Sequence, residues 1–241
     1  MKKGILILTM LIASSLILSA CDSQTPDSYL TEAEQHGTLQ DLYYDTYGSF
    51  SYNEKSQRLQ KHAVVYLPYG YNESKQYPVL YLMHGGWSNE YTYLGSPDEP
   101  QGMKHILDHG IANGEIQPMI VVCPTYNNTS PEDSGDYSLA LRLTDNYHNE
   151  LINDLIPAVE GKYSTYAEDT TPEAIAASDT NDFTYSGFKN GIDAMRESDS
   201  GLFRFADNEA EGNLYYLESD GDHSGYYAML YFYNGLRWIW R

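Results

Sequence analysis

The chain has 241 residues, enough for one large domain, and its 41% hydrophobic fraction excludes a globally disordered protein. It has 14 Lys and Arg residues and 34 Asp and Glu residues, which gives a formal net charge of −20. A chain this negative repels phosphate backbones, so we predict no nucleic-acid partner. Tyrosine is unusually abundant, with 24 residues. Its apolar ring with a polar tip suits sugar or aromatic ligands, although a tyrosine-rich surface needs no such role.

The N-terminus predicts export. Lys2 and Lys3 precede an apolar run over residues 4–18, which ends in Leu-Ser-Ala-Cys at Cys21. A basic start, about 15 apolar residues and small residues at the end are typical of a secretory signal. The end resembles the lipobox of bacterial lipoproteins, in which the cysteine is lipidated; an ordinary signal peptide with an incidental cysteine is the alternative. We therefore expect residues 1–20 to be a lipoprotein signal peptide and Cys21 to anchor the chain to the outer face of a bacterial membrane.

After the signal peptide, we predict a tether followed by one domain. Residues 21–37 are polar and poor in β-branched residues, which favours a flexible tether. Residues 38–241 contain no internal repeat and no second domain boundary. With Cys21 lipidated, Cys123 has no disulfide partner, and its apolar surroundings predict a buried residue without a catalytic role.

The domain alternates strand and helix patterns. Apolar, β-branched runs predict strands over residues 63–67, 78–83, 119–123 and 213–218. Apolar spacing and aromatic content predict helices over residues 101–113, 144–162 and 225–240. This alternation predicts an α/β fold with a mostly parallel sheet that is flanked by helices on both faces.

Three segments follow predicted strands, where open α/β sheets bind their ligands. In His84-Gly-Gly-Trp87, consecutive glycines let backbone N–H groups point into a cleft and stabilise a negative oxygen, although a simple tight turn also explains them. His223 lies in a short polar loop and is a candidate general base, or alternatively a surface or capping residue. Asp179 and Asp182 lie in a third segment, where either carboxylate could orient a histidine or serve a local turn.

Together these segments resemble the first carbohydrate-esterase family, which includes feruloyl and acetylxylan esterases. The N-terminal half of the resemblance is carried by Val65–Tyr71, Tyr77–Gly86, Pro118–Thr125 and Glu150–Pro157. The C-terminal half is carried by Asp179–Tyr185, Gly212–Leu217 and Gly221–His223. Several separate motifs in the family's order make the resemblance specific over residues 38–241.

The resemblance implies an α/β-hydrolase fold and a serine–histidine–aspartate mechanism with no metal and no cofactor. Carried over by position, His223 would be the base, Asp182 would orient it, and Gly86 with Trp87 would form the oxyanion hole. The implied substrate is a polysaccharide ester, with feruloyl or acetyl groups on plant cell-wall xylan.

One part of the family pattern is missing. The family's nucleophile lies in Gly-x-Ser-x-Gly, and this sequence contains no such motif. From Ile175 to Asp182 there are seven positions, where the family has a strand–turn–helix–strand unit of on the order of 50 residues. We predict that an internal deletion removed the nucleophile together with a central strand. The sheet would then be incomplete centrally, and ester hydrolysis would be impaired.

Other hypotheses follow from the same gap. The chain could be a non-catalytic carbohydrate-binding remnant or an internally deleted pseudo-enzyme. Substitute nucleophiles are available in principle at Ser178, Ser186 and Ser224, but none has the flanking glycines of the elbow. A metal hydrolase is the weakest hypothesis, because His105 and His109 share a helix without further ligands and are expected to face solvent.

Overall fold

A computed structural model describes residues 25–174 together with Met229, Tyr233 and Leu236. Those last three residues are helical and pack on the core, in agreement with the helix predicted over residues 225–240. The predicted strand over residues 213–218 lies outside the described residues. None of the described helices is both long and apolar enough to cross a membrane.

Four strands of the described chain form a mixed sheet in the order β1–β2–β4–β3. They are β1 (Thr38–Tyr47), β2 (Arg58–Leu67), β3 (Val79–Tyr81) and β4 (Ile120–Cys123). The β3–β4 pair is parallel, as predicted, whereas β2 pairs antiparallel with both β1 and β4. The connection over residues 48–57 is too short for the crossover that parallel neighbours need, so β1 and β2 pair antiparallel.

The helices are α1 (Gly102–Ala112), α2 (Tyr137–Glu150) and α3 (Ile156–Glu160), with a π-helical segment (Leu151–Leu155) joining the last two. The helix predicted over residues 101–113 is therefore confirmed. The one predicted over residues 144–162 begins earlier, because the Asp136 side chain accepts a hydrogen bond from the Leu139 N–H at 3.0 Å and caps α2.

Helices cover both faces of the sheet, as predicted. On one face, residues of β2 and β4 pack against Met103, Ile106 and Leu107 of α1. On the other face, alternate residues of the same strands pack against Leu155 and Val159. All four residues of β4 are buried, including Cys123, and burial raises the pKa of its thiol, in agreement with a structural role.

The described sheet is open at β3. All three residues of β3 are half-buried, whereas the neighbouring β4 is buried throughout. Among the described strands none lies beyond β3, and a single parallel bridge joins Tyr77 to Thr165 beside it.

Two expectations about the N-terminal side of the domain need correction. Residues 25–37 do not form the flexible tether predicted over residues 21–37, because Tyr29 is buried in the core and the Gly37 N–H donates to Asp108 Oδ1 at 2.7 Å. His105 and His109 are half-buried rather than solvent-facing. His109 stacks on Tyr29 with 4.7 Å between ring centroids, since the segment before β1 packs along α1.

Candidate functional site

The His84–Trp87 loop begins three positions after the last residue of β3 and contains a strained residue. Trp87 has a φ of 54°, in the left-handed region that residues other than glycine rarely adopt. Its side chain is 72% exposed, and its backbone N–H donates to the Ser134 carbonyl oxygen at 2.9 Å. Such backbone strain concentrates at functional sites, where the surrounding structure holds it in place.

His84 and Tyr126 hold the carbonyl group of Gly85. His84 Nδ1 lies 2.7 Å from the Gly85 oxygen, and the Tyr126 hydroxyl donates to that oxygen at 2.9 Å. Burial lowers the pKa of His84, which keeps the imidazole neutral. A neutral ring with its proton on Nδ1 can donate to Gly85 while Nε2 accepts from the Thr125 hydroxyl at 2.7 Å. The His84 and Tyr126 rings also stack, 4.4 Å apart.

This arrangement sets the direction of one backbone donor. The peptide unit is planar and trans, so fixing the Gly85 carbonyl points the Gly86 N–H the opposite way. Within residues 25–174 the Gly86 N–H makes no hydrogen bond, whereas the Trp87 N–H is occupied by Ser134. Of the two predicted oxyanion residues, Trp87 would therefore first have to release Ser134, whereas no residue within 25–174 occupies the Gly86 N–H.

The loop after β4 supports the loop after β3. Ser134 is buried, and its hydroxyl donates to the Ser88 carbonyl at 2.7 Å and accepts from the Ser88 N–H at 3.0 Å. Asn127 donates to the same Ser88 carbonyl at 3.1 Å. Asp133 accepts hydrogen bonds from three successive N–H groups, those of residues 128–130, and so fixes the turn. No motif in the sequence identified these residues, although the Asn, Ser, Pro and Asp content of the segment is typical of a turn.

A buried ion pair lies behind Thr125. Lys61 Nζ donates to the Thr125 carbonyl at 2.7 Å and to Glu150 Oε2 at 2.8 Å. The Tyr44 hydroxyl donates to the other Glu150 oxygen at 2.6 Å. Burial lowers the pKa of Lys61 and raises that of Glu150, while their mutual attraction opposes both shifts. The pair joins β2 to α2 and holds the strand end that presents Thr125 to His84.

The remaining predicted site residues lie outside the described residues. These are His223, Asp182 and the lipidation site Cys21. Their roles therefore stay predictions. Within the described part of the chain, no group of three or more His, Cys, Asp or Glu side chains is placed to hold a metal ion.

A family model and two curated relatives match the chain. The model of the Esterase family matches residues 56–176, just over half of the chain. The endo-1,4-β-xylanase Y of Acetivibrio thermocellus is 42% identical over 154 residues, which are 64% of this chain and 12% of that protein. An endo-1,4-β-xylanase/feruloyl esterase of Xylanibacter ruminicola is 33% identical over 139 residues, which are 55% of this chain and 17% of that protein. The chain thus spans less than a fifth of the length of either curated relative.

Two solved structures resemble the fold over most of the chain. The structure of FAE has a TM-score of 0.62 at 29% identity, over 89% of this chain and 92% of that one. A serine-to-alanine mutant of the feruloyl esterase module from Clostridium thermocellum, complexed with sinapinate, has a TM-score of 0.61 at 28% identity over the same shares. These similarities confirm the predicted α/β-hydrolase fold and the resemblance to the first carbohydrate-esterase family. The chain belongs to the esterase family.

Proposed function

We propose that this chain is a carboxylic-ester hydrolase for feruloyl or acetyl esters of plant cell-wall xylan, in which hydrolysis is impaired. One combination of features supports this proposal: the chain keeps the loop with the Gly86 donor but has no Gly-x-Ser-x-Gly motif. The family match ends at residue 176, one position after Ile175, where the predicted deletion begins.

The chemistry explains why the missing serine matters most. In a complete site the serine hydroxyl attacks the ester carbonyl and its proton passes to His223, which Asp182 orients. The Gly86 N–H stabilises the negative charge that develops on the carbonyl oxygen. Without the serine, no side chain forms the acyl intermediate, and His223 can direct only water. Loss of a catalytic serine lowers kcat on the order of a millionfold in a serine protease, and we expect a comparable loss here.

We also propose where the chain acts. A lipidated Cys21 would hold the domain at the outer face of a bacterial membrane, exported and next to extracellular polysaccharide. Two curated relatives are named as xylanases, one of them also as a feruloyl esterase, which supports xylan as the polymer. A polysaccharide ester and the membrane are then the two partners of the chain.

The test is the reaction of the mature chain, from Cys21 onward, with a fluorophosphonate that modifies activated serines. Intact-mass analysis should find no adduct on a chain that circular dichroism shows to be folded. A complete feruloyl esterase labelled in parallel is the positive control. A single adduct that disappears in His223→Ala would contradict the proposal, and peptide sequencing would then decide among Ser178, Ser186 and Ser224.

A non-catalytic, carbohydrate-binding remnant is the second candidate. Exposed aromatic rings favour it, notably those of Tyr43, Trp87 and Tyr91. Binding of xylan fragments by a folded chain that forms no adduct and has no turnover would establish this binding role beside the impaired site.

A further inference from the structure

An aromatic row runs from β1 to the loop after β3. The His62 ring is 4.9 Å from the ring of Tyr43 and 5.3 Å from that of Tyr91, between centroids. Tyr43 is 61% and Tyr91 40% exposed, whereas the imidazole between them is buried. Tyr91 comes four residues after Trp87 in the chain. Two tyrosine rings are thus presented to solvent on a single buried support.

Ion pairs hold this support in place. His62 Nε2 lies 2.8 Å from Asp41 Oδ1 on β1, and Nδ1 lies 3.3 Å from Glu90 Oε1 in the loop after β3. The two carboxylates fix the imidazole, and the imidazole stacks on Tyr91 at an interplanar angle of 29°. Rings that are ordered before a ligand arrives lose little conformational entropy on binding.

A cleft continues from the row. It has a volume of about 450 Å³, within the range of small-molecule sites. Tyr91 forms part of its wall, and the other lining side chains are polar: Asn89, Thr92, Ser96, Glu99 and Gln101. A sugar ring presents apolar C–H faces and polar hydroxyl groups. The aromatic wall suits the C–H faces, and the hydroxyl, amide and carboxylate groups around it suit the sugar hydroxyls.

We propose that Tyr43, Tyr91 and this cleft, together termed the tyrosine platform, bind the unesterified backbone of a neutral xylan chain. The proposal rests on the proposed function for the identity of the polymer. Pyranose C–H faces stack on the tyrosine rings, and sugar hydroxyls donate to carboxylates. Asp41, whose side chain is 41% exposed, keeps acceptor sites for this, because a carboxylate has about four and one is used on His62.

Charge selects against acidic polysaccharides at the tyrosine platform. Three carboxylates, those of Asp41, Glu90 and Glu99, lie at or beside it, and the chain carries a net charge of −20. A uronic acid polymer would be repelled, whereas a neutral pentose chain would not. The ligand class is therefore a neutral oligosaccharide of several pyranose units.

The test is calorimetric titration of the mature chain with xylohexaose, which carries no ester. Wild-type protein should bind, and Tyr91→Ala should raise the Kd about tenfold, as expected for the loss of one stacking interaction. Tyr69→Ala and Tyr137→Ala are matched controls, since these tyrosines are 58% and 66% exposed outside the tyrosine platform. Both controls should bind as wild type, and Tyr91→Phe should retain binding because it keeps the ring.

Three outcomes would overturn the tyrosine platform. They are no binding of xylohexaose to the folded wild type, equal binding by Tyr91→Ala and wild type, and equal binding of a hexamer of galacturonate. Because no bond is broken in this titration, its result is independent of the nucleophile. A serine labelled by the fluorophosphonate would contradict the impaired function and leave the tyrosine platform intact.

Discussion

The Tyr126 hydroxyl donates a hydrogen bond to the Gly85 carbonyl oxygen at 2.9 Å. Tyr126 follows β4 and Gly85 follows β3, so this bond joins the ends of the two parallel strands. His84 reaches the same oxygen at 2.7 Å. Side chains from two loops thus orient one peptide unit, and through it the Gly86 N–H, without needing any contact with a substrate.

The first prediction concerns this bond. Tyr126→Phe should lower the free energy of unfolding by about 1 kcal/mol, because the Gly85 carbonyl loses one of its donors. Urea denaturation followed by circular dichroism measures the change. Tyr69→Phe is the control, since an exposed tyrosine should change stability by less than about 0.5 kcal/mol. Equal effects of the two substitutions would show that the bond does not stabilise the loop.

The second prediction concerns the buried ion pair. Lys61→Met should lower the free energy of unfolding by about 3–5 kcal/mol, because the Glu150 carboxylate stays buried without its partner charge. Arg58→Met is the control. It removes an ion pair of similar length, 2.7 Å from Arg58 Nη2 to Asp45 Oδ2, that lies on the surface. It should change the free energy of unfolding far less than Lys61→Met, because solvent screens an exposed ion pair.

A double substitution separates the charge from the packing. Lys61→Met with Glu150→Leu removes both charges, so it should be less destabilising than Lys61→Met alone. The loss of unfolding free energy in the double variant should be smaller than the sum of the losses in the two single variants. A loss equal to that sum would contradict a buried ion pair. The same urea denaturation serves for all four proteins.

The third prediction concerns pH. Burial alone would lower the pKa of His62, but its hydrogen bonds and charge interactions with Glu90 and Asp41 outweigh burial and raise that pKa. The unfolded chain has the ordinary value of about 6.5. The stabilisation by protonated His62 is therefore fully present below about pH 6.5 and is lost as the pH rises through the raised value.

Denaturation at a series of pH values measures this effect. The difference in unfolding free energy between wild type and His62→Gln should shrink above about pH 6.5. Glu90→Gln, which removes one of the two partners, should weaken the dependence. A difference that grows with pH would show that His62 is stabilising in its neutral form.

Sequence patterns predicted the elements that bury continuous apolar runs. The helix over residues 101–113 and the strand at 119–123 agree with Gly102–Ala112 and Ile120–Cys123 to within a residue. The pattern of continuous apolar runs missed β1, in which exposed and buried residues alternate with the period of a half-buried strand. It also failed at the start of α2, which is set by the Asp136 cap rather than by an apolar stripe.

The site was predictable only where a motif marks it. His84-Gly-Gly-Trp87 identified the loop, because consecutive glycines after a strand form a local pattern. Lys61 and Glu150 are 89 positions apart, and Ser88 and Ser134 are 46 apart, so no local pattern joins them. Which polar side chains meet is decided by how the elements pack, and this information is not present in any short segment.

Turnover of methyl ferulate is the most direct measurement of the central claim, that an esterase-family chain without Gly-x-Ser-x-Gly is impaired in ester hydrolysis. Wild type and His223→Ala, purified in the same way, should release ferulate at the same background rate. Ferulate release by wild type that disappears in His223→Ala would show a working catalytic site and would contradict the account.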